Sequence, residues 1–185
     1  KKDLTIPVSI AHLPKNMMVT KMDPERVFVT VSGRVSLLKD LKDRDVSVVI
    51  NLNGIKEGEA VFNFSKANVN VPRGIEVVDI RPGTLRLTAD RILEKSLKVL
   101  PKLDKKWKGR YDISSVSPQY VTAEGPRRLL EKLATIHTMP INGDLHHNEE
   151  TVTVGLDLED VHQTNVRPDN IRITLKKHSG RDNPE

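Results

Sequence analysis

Residues 80–88 read IRPGTLRLT and residues 166–174 read VRPDNIRIT, so the chain says nearly the same thing twice. An Arg-Pro pair, a later Arg and a closing Thr are identical in the two stretches, and positions 80/166, 85/171 and 87/173 stay aliphatic. A tandem repeat constrains the fold more than any single motif, because each half must build the same unit from its own residues. Each copy is about ninety residues long, the size of a small domain. The expected division is residues 1–91 for the first copy, 92–178 for the second, and a disordered tail over 179–185.

A domain of that size buries only about 60 to 65% of its unfolded surface. With three Phe, two Tyr and one Trp in the whole chain, both cores must be built from Val, Ile and Leu. Deep catalytic pockets are not expected in such units. Period-two alternation dominates: Val27, Val29 and Val31 point one way, Phe28, Thr30 and Ser32 the other. The same pattern recurs at Val46, Val48, Ile50 and Leu52, at Val69 and Val71, at Ile75 and Val77, and at Leu85 and Leu87. In the second copy it runs through Val152, Val154, Leu156 and Leu158, and through Ile171, Ile173 and Leu175.

Turns with a mechanism separate the strands: Asn53-Gly54, Glu57-Gly58, Pro72-Arg73-Gly74 and Asn142-Gly143-Asp144 supply residues that tolerate positive φ. The prolines after Arg81 and Arg167 push those arginines into extended geometry. Helical spacing occurs only at Val35, Leu38 and Leu41, after Gly33, and at Leu129, Leu130 and Leu133, after Gly125-Pro126. Each segment allows two or three turns at most. The fold class is therefore mainly β, two tandem β domains, each with one short helix or helical turn.

The start of each copy carries a further signature. Asp23-Pro24-Glu25-Arg26-Val27 leads into Gly33, and Ser117-Pro118-Gln119-Tyr120-Val121 leads into Gly125-Pro126. Asn51-Leu52-Asn53-Gly54 follows at the next strand end, with Asn142-Gly143-Asp144-Leu145 as a looser second copy, and residues 6–19 read IPVSIAHLPKNMMV. These patterns resemble the YbbR domain, and residues 6–19 look like the lead-in of its membrane-proximal first repeat. The resemblance covers nearly the entire chain. Thr122-Ala123-Glu124 and the irregular residues 137–141 beside Pro140 depart from the pattern.

The resemblance implies an extracytoplasmic, bacterial, non-enzymatic interaction module, anchored in the cell membrane by a helix upstream of Lys1. It also implies a partner: such proteins are associated with a membrane diadenylate cyclase and regulate its synthesis of cyclic di-AMP. The chain has no cysteine, which excludes disulfides, thiolate metal sites and a Cys nucleophile and agrees with an oxidising compartment. No stretch approaches the roughly 20 apolar residues that cross a bilayer, and no signal peptide precedes Leu4, so the chain reads as a soluble part of a larger protein.

No catalytic, cofactor-binding or metal residues are expected. His146, His147 and His162, with Glu149 and Glu150 nearby, have ligand chemistry that suits zinc or nickel. They lack an i,i+4 or HxH spacing, however, and read as exposed loop histidines. No G-x-S-x-G elbow or phosphate loop occurs. Ser114, Ser115 and Ser117 lie near Asp112 but far in sequence from any histidine, and Glu149-Glu150 and Glu159-Asp160 sit in polar surroundings that do not raise a carboxyl pKa. Arg81, Arg86, Arg167 and Arg172 recur in both copies. Arg86 and Arg172 read as cross-strand ion-pair partners of acids such as Asp79 or Asp169, and the four otherwise as a guanidinium ladder for an anionic partner.

The net charge is +5, with signs mixed along most of the chain. The exception is residues 95–110, where Lys95, Lys98, Lys102, Lys105, Lys106, Lys108 and Arg110 outnumber Asp104. This run reads first as a solvated linker and strand edge, second as a strip for phosphate or anionic lipid headgroups. Two other functions are kept beside the regulatory one. The first is RNA binding, from the basic strip and a fold analogy to a 5S rRNA-associated ribosomal protein. The other is a cell-envelope domain that binds wall polymers. In the preferred reading nucleic acid is not a partner.

Overall fold

A computed structural model describes residues 1–178; the tail expected over 179–185 lies outside the described residues. The chain forms two compact units, Lys1–Arg91 and Ile92–Glu185.

The first unit contains β1 (Lys2–Ala11), β2 (Met17–Asp23), β3 (Arg26–Ser32), α1 (Val35–Asp40), β4 (Ser47–Asn51), β5 (Gly58–Asn63), β6 (Val69–Asn70), β7 (Glu76–Arg81) and the start of β8 (Thr84–Leu103). One sheet has the order β6-β4-β1-β3-β7. Its centre is β1, antiparallel to β3 and parallel to β4. In the second sheet β2 and β5 flank residues 84–91 of β8, both antiparallel. The alternation explains what the sheets enclose: Ile6, Val27, Val29, Val31, Val48 and Ile50 from one sheet join Leu85, Leu87 and Ala89 from the other in a single buried cluster. Leu52 closes that cluster at 1% exposure, so the Asn-Leu corner is part of the core.

The second unit repeats the plan with residues 92–103 of β8, then β9 (Tyr111–Ser117), β10 (Tyr120–Pro126), α2 (Arg127–Leu130), β11 (Thr135–Ile141), β12 (Glu149–Gly155), β13 (Asn165–Arg167) and β14 (Asn170–Lys177). Here β8 plays the part of β1, antiparallel to β10 and parallel to β11, and β13 pairs with β10. The three-stranded sheet β12-β14-β9 corresponds to β5, β8 and β2. Leu97, Val99, Val121, Ala123, Ile171, Ile173 and Leu175 form the core, and Leu145, in the loop after β11 as Leu52 is after β4, is buried among them. One strand thus ends the first unit and begins the second.

The corners also repeat. The Asp23-Pro24, Arg81-Pro82, Ser117-Pro118 and Arg167-Pro168 peptides are cis. They lie at the β2–β3, β7–β8, β9–β10 and β13–β14 junctions. Gly33, just past β3, and Gly125, next to last in β10, stand where the chain runs close to a neighbouring segment. A Cβ on Gly33 would lie 3.0 Å from the Gly74 carbonyl oxygen, and one on Gly125 would lie 2.5 Å from Thr164 Oγ1.

Several expectations need correcting. The helices are short, six and four residues, within the limit expected, but they end before Leu41 and Leu133. The strand expected through Val69 and Val71 is two residues long. The strand through Val152 ends at Gly155; Leu156 makes only an isolated bridge to Thr138, and Leu158 is 47% exposed. The basic run is not a free linker through residue 103: residues 92–98 of β8 pair with β10 and residues 98–103 with β11. Its charges and its apolar residues coexist through the pleat: Leu97 and Val99 face the core while Lys98 faces out. The irregularity expected at residues 137–141 is a register shift in β11, where buried Thr138 Oγ1 accepts from the Lys102 backbone N–H at 3.0 Å.

Candidate functional site

Both units use the first lysine of their central strand in the same way. Lys2 Nζ donates to the carbonyls of Leu38 (3.1 Å) and Leu41 (2.6 Å) at the end of α1, and Lys95 Nζ donates to Leu130 (2.9 Å) at the end of α2. A cation satisfies carbonyls that a helix terminus leaves without partners. Lys95, the first residue of the basic run, is therefore a structural residue.

The repeated arginines pair with other acids than expected. Arg86 meets Glu59 on β5 at 3.6 Å, not Asp79, because β5 is its neighbour in the sheet. Asp79 pairs instead with Arg81 at 3.5 Å, and Arg167 reaches Glu124 at 4.0 Å. Arg172 has no ion pair with Asp169; its register partners are Ser117 and Thr153. These pairs are well exposed, and such bridges contribute about 0 to 1 kcal/mol. They do not form one ladder.

The rest of the basic run builds a more specific feature. Beyond β8 the chain turns at Asp104, whose carbonyl accepts from Trp107 and Lys108. Trp107 Nε1 then donates to the Gly143 carbonyl at 2.9 Å, and Tyr111 Oη donates to the His147 carbonyl at 2.9 Å. The two rings meet edge to face, 5.6 Å apart at 86°, and Lys106 Nζ lies 5.4 Å from the Trp107 centroid. Together they clamp the loop that carries buried Leu145. Beside the clamp is a cleft of about 480 Å³, lined by Trp107, Arg110, Tyr111, His146, Lys177 and His178 among others.

The histidines and carboxylates fall into place around this loop. His146 and His147 are exposed, and their backbone N–H groups donate to Glu150 Oε1 at 3.1 and 2.9 Å. Those two amides, His147 first, hold the Glu150 carboxyl below its ordinary value of 4.5. Among the described residues no three His, Asp or Glu side chains converge as metal ligands. Ser115 and Ser117 pair with Thr174 and Arg172 in the sheet, as strand residues. A histidine does approach Asp112: His178 Nδ1 lies 2.9 Å from Asp112 Oδ2. Sequence reasoning missed this pair and the cleft, because their residues come from three segments widely separated in the chain. The lone Trp amid lysines was the signal that could have found the cleft. Among the described residues no helix is long and apolar enough to cross a membrane.

Comparison with known proteins fits this architecture. A family model described as YbbR-like protein matches residues 6–89. A YbbR-like protein from Streptococcus pneumoniae TIGR4 superposes with a TM-score of 0.52 at 16% identity, over 96% of this chain and 96% of that one. The YbbR-like domain of a Listeria monocytogenes protein matches 49% of this chain and 95% of its own length, at 23% identity and a TM-score of 0.40. No curated protein matches.

Proposed function

We propose that this chain, whose residues 6–89 match a YbbR-like family model, is the extracytoplasmic, non-enzymatic interaction module of a membrane-anchored protein that regulates a diadenylate cyclase and so cyclic di-AMP synthesis. The observation that carries this reading is the family match over the first copy, joined to the internal repetition of the same fold in the second. In this reading the intact protein continues upstream of Lys1 into a hydrophobic membrane helix, and the repeats present surfaces to the cyclase or to a signal. The pairing of residues 92–103 within a sheet weighs against a continuous basic strip for RNA.

The test is cyclic di-AMP output from membranes carrying the cyclase, with the full-length protein present, absent, or lacking both repeats. An output change that requires the repeats is expected. Output that ignores them would sink the regulatory reading.

A further inference from the structure

The two units carry a cleft at matching places in the fold, beside the Met17–Arg91 pair of the first and the Tyr111–Lys177 pair of the second, and the two clefts differ in charge. In the first unit it is about 410 Å³ and lined by Pro14, Asn16, Met17, Ile55, Lys56, Glu57 and Arg91. There Arg91 Nε is 3.8 Å from Glu57 Oε1, so the cation paired with the start of β2 is neutralised. In the second unit buried Tyr111 replaces Met17 as the first residue of its strand, and Lys177 stands at the matching end of β14. No ion pair with an acid forms at Lys177 or Arg110 among the described residues, although both line the cleft. The acids closest by are already engaged: Asp112 bonds His178, and Glu150 accepts from the His146 and His147 amides. Two uncompensated permanent cations, a histidine and an indole therefore face one cavity.

Clefts that gather one sign of charge raise the local concentration of counter-ions, and a guanidinium beside an ammonium offers several charge-assisted donors to a tetrahedral oxyanion. A phosphate monoester carries a charge of about −1.5 to −2 at neutral pH, which matches Arg110 plus Lys177. The exposed part of Trp107 provides an apolar wall for whatever bears the phosphate. From this convergence we propose that the cleft of the second unit binds a phosphate monoester whose neighbouring group is planar, the phosphate between Arg110 and Lys177 and the planar group against Trp107. The first unit, with Glu57 on its arginine and no aromatic, does not bind it. This goes beyond the regulatory reading and does not depend on it.

The test is a heteronuclear NMR titration of the 185-residue chain with phenyl phosphate, inorganic phosphate and acetate, ionic strength held constant with chloride. Saturable shifts are expected at the Trp107 indole N–H and at the amides of Gly109, Tyr111, His146 and Lys177, with phenyl phosphate binding at least about fivefold tighter than inorganic phosphate. The Arg110→Gln, Lys177→Gln double variant should lose at least about tenfold in affinity. Arg110→Lys retains binding, and Lys56→Gln in the first cleft leaves it unchanged. The proposal is overturned by shifts that spread over both units without saturating, by binding that persists in the double variant, or by acetate binding as tightly as phenyl phosphate.

Discussion

Replacing Gly125 by Ala places a methyl group where there is no room for it. The new Cβ would stand 2.5 Å from Thr164 Oγ1, 3.0 Å from Thr164 Cβ and 3.1 Å from Thr164 Cα. Rotation about χ1 moves only the Thr164 atoms beyond Cβ, so relieving the contacts with its Cβ and Cα requires the segment leading to β13 to shift. Overpacking of this kind costs about 1 to 3 kcal/mol. Trp107 is the chain's one tryptophan and sits in the second unit, so its fluorescence reports that unit's urea transition. With a urea m-value of about 1 kcal/mol/M for so small a unit, the midpoint should fall by about 1 M or more. Gly33→Ala is the control. Its closest neighbour, Ile75 Cδ1 at 2.9 Å, is a flexible tip, and only the Gly74 carbonyl oxygen at 3.0 Å is fixed. That variant should cost less, and the Trp107 transition should stay in place. A Gly125→Ala midpoint within about 0.2 M of the parent would refute the claim that close approach requires the glycine corner.

Two further predictions concern the pleat of β8 and the loop beside the cleft. Leu97 is fully buried and Lys98 faces out on the same strand, so Leu97→Ala should lower stability by about 2 to 5 kcal/mol and Lys98→Ala by no more than about 0.5 kcal/mol, both read from urea melts. The folded pKa of Glu150 lies below its ordinary 4.5, so its stabilising effect is complete above that value and is lost as pH falls through the depressed one. The His146 and His147 amide resonances should therefore titrate together below pH 4.5, and Glu150→Gln should abolish that step; a titration at or above 4.5 would contradict it.

The parts of the fold legible in sequence were those that local chemistry encodes. Period-two valines marked β3 and β4, glycine and proline marked the corners at Gly33, Gly125, Pro82 and Pro168, and Leu52 and Leu145 appeared at matched places. Pairing was not legible, because alternation states which side chains are buried but not which strand lies alongside. The division at residue 91 was legible, but not that one unbroken strand, Thr84–Leu103, runs across it. The lysines there suggested a linker because charge is read residue by residue, whereas a pleat hides Leu97 and Val99 behind Lys98. Arg86 was assigned the wrong acid for the same reason: its partner is set by the β5 register, across the sheet from Glu59. The cleft was invisible because Arg110, His146 and Lys177 meet only after β14 has returned beside the start of β9.

The most direct test of the proposed regulatory role is cyclic di-AMP measured in membranes containing the cyclase at fixed amount, with the full-length protein or its repeat-deleted form supplied in equal quantity. A rate that shifts up or down with the full-length protein, and returns to the cyclase-only value when both repeats are removed, is the expected result. A shift of the same size after the repeats are removed, or no shift with either form, would contradict it.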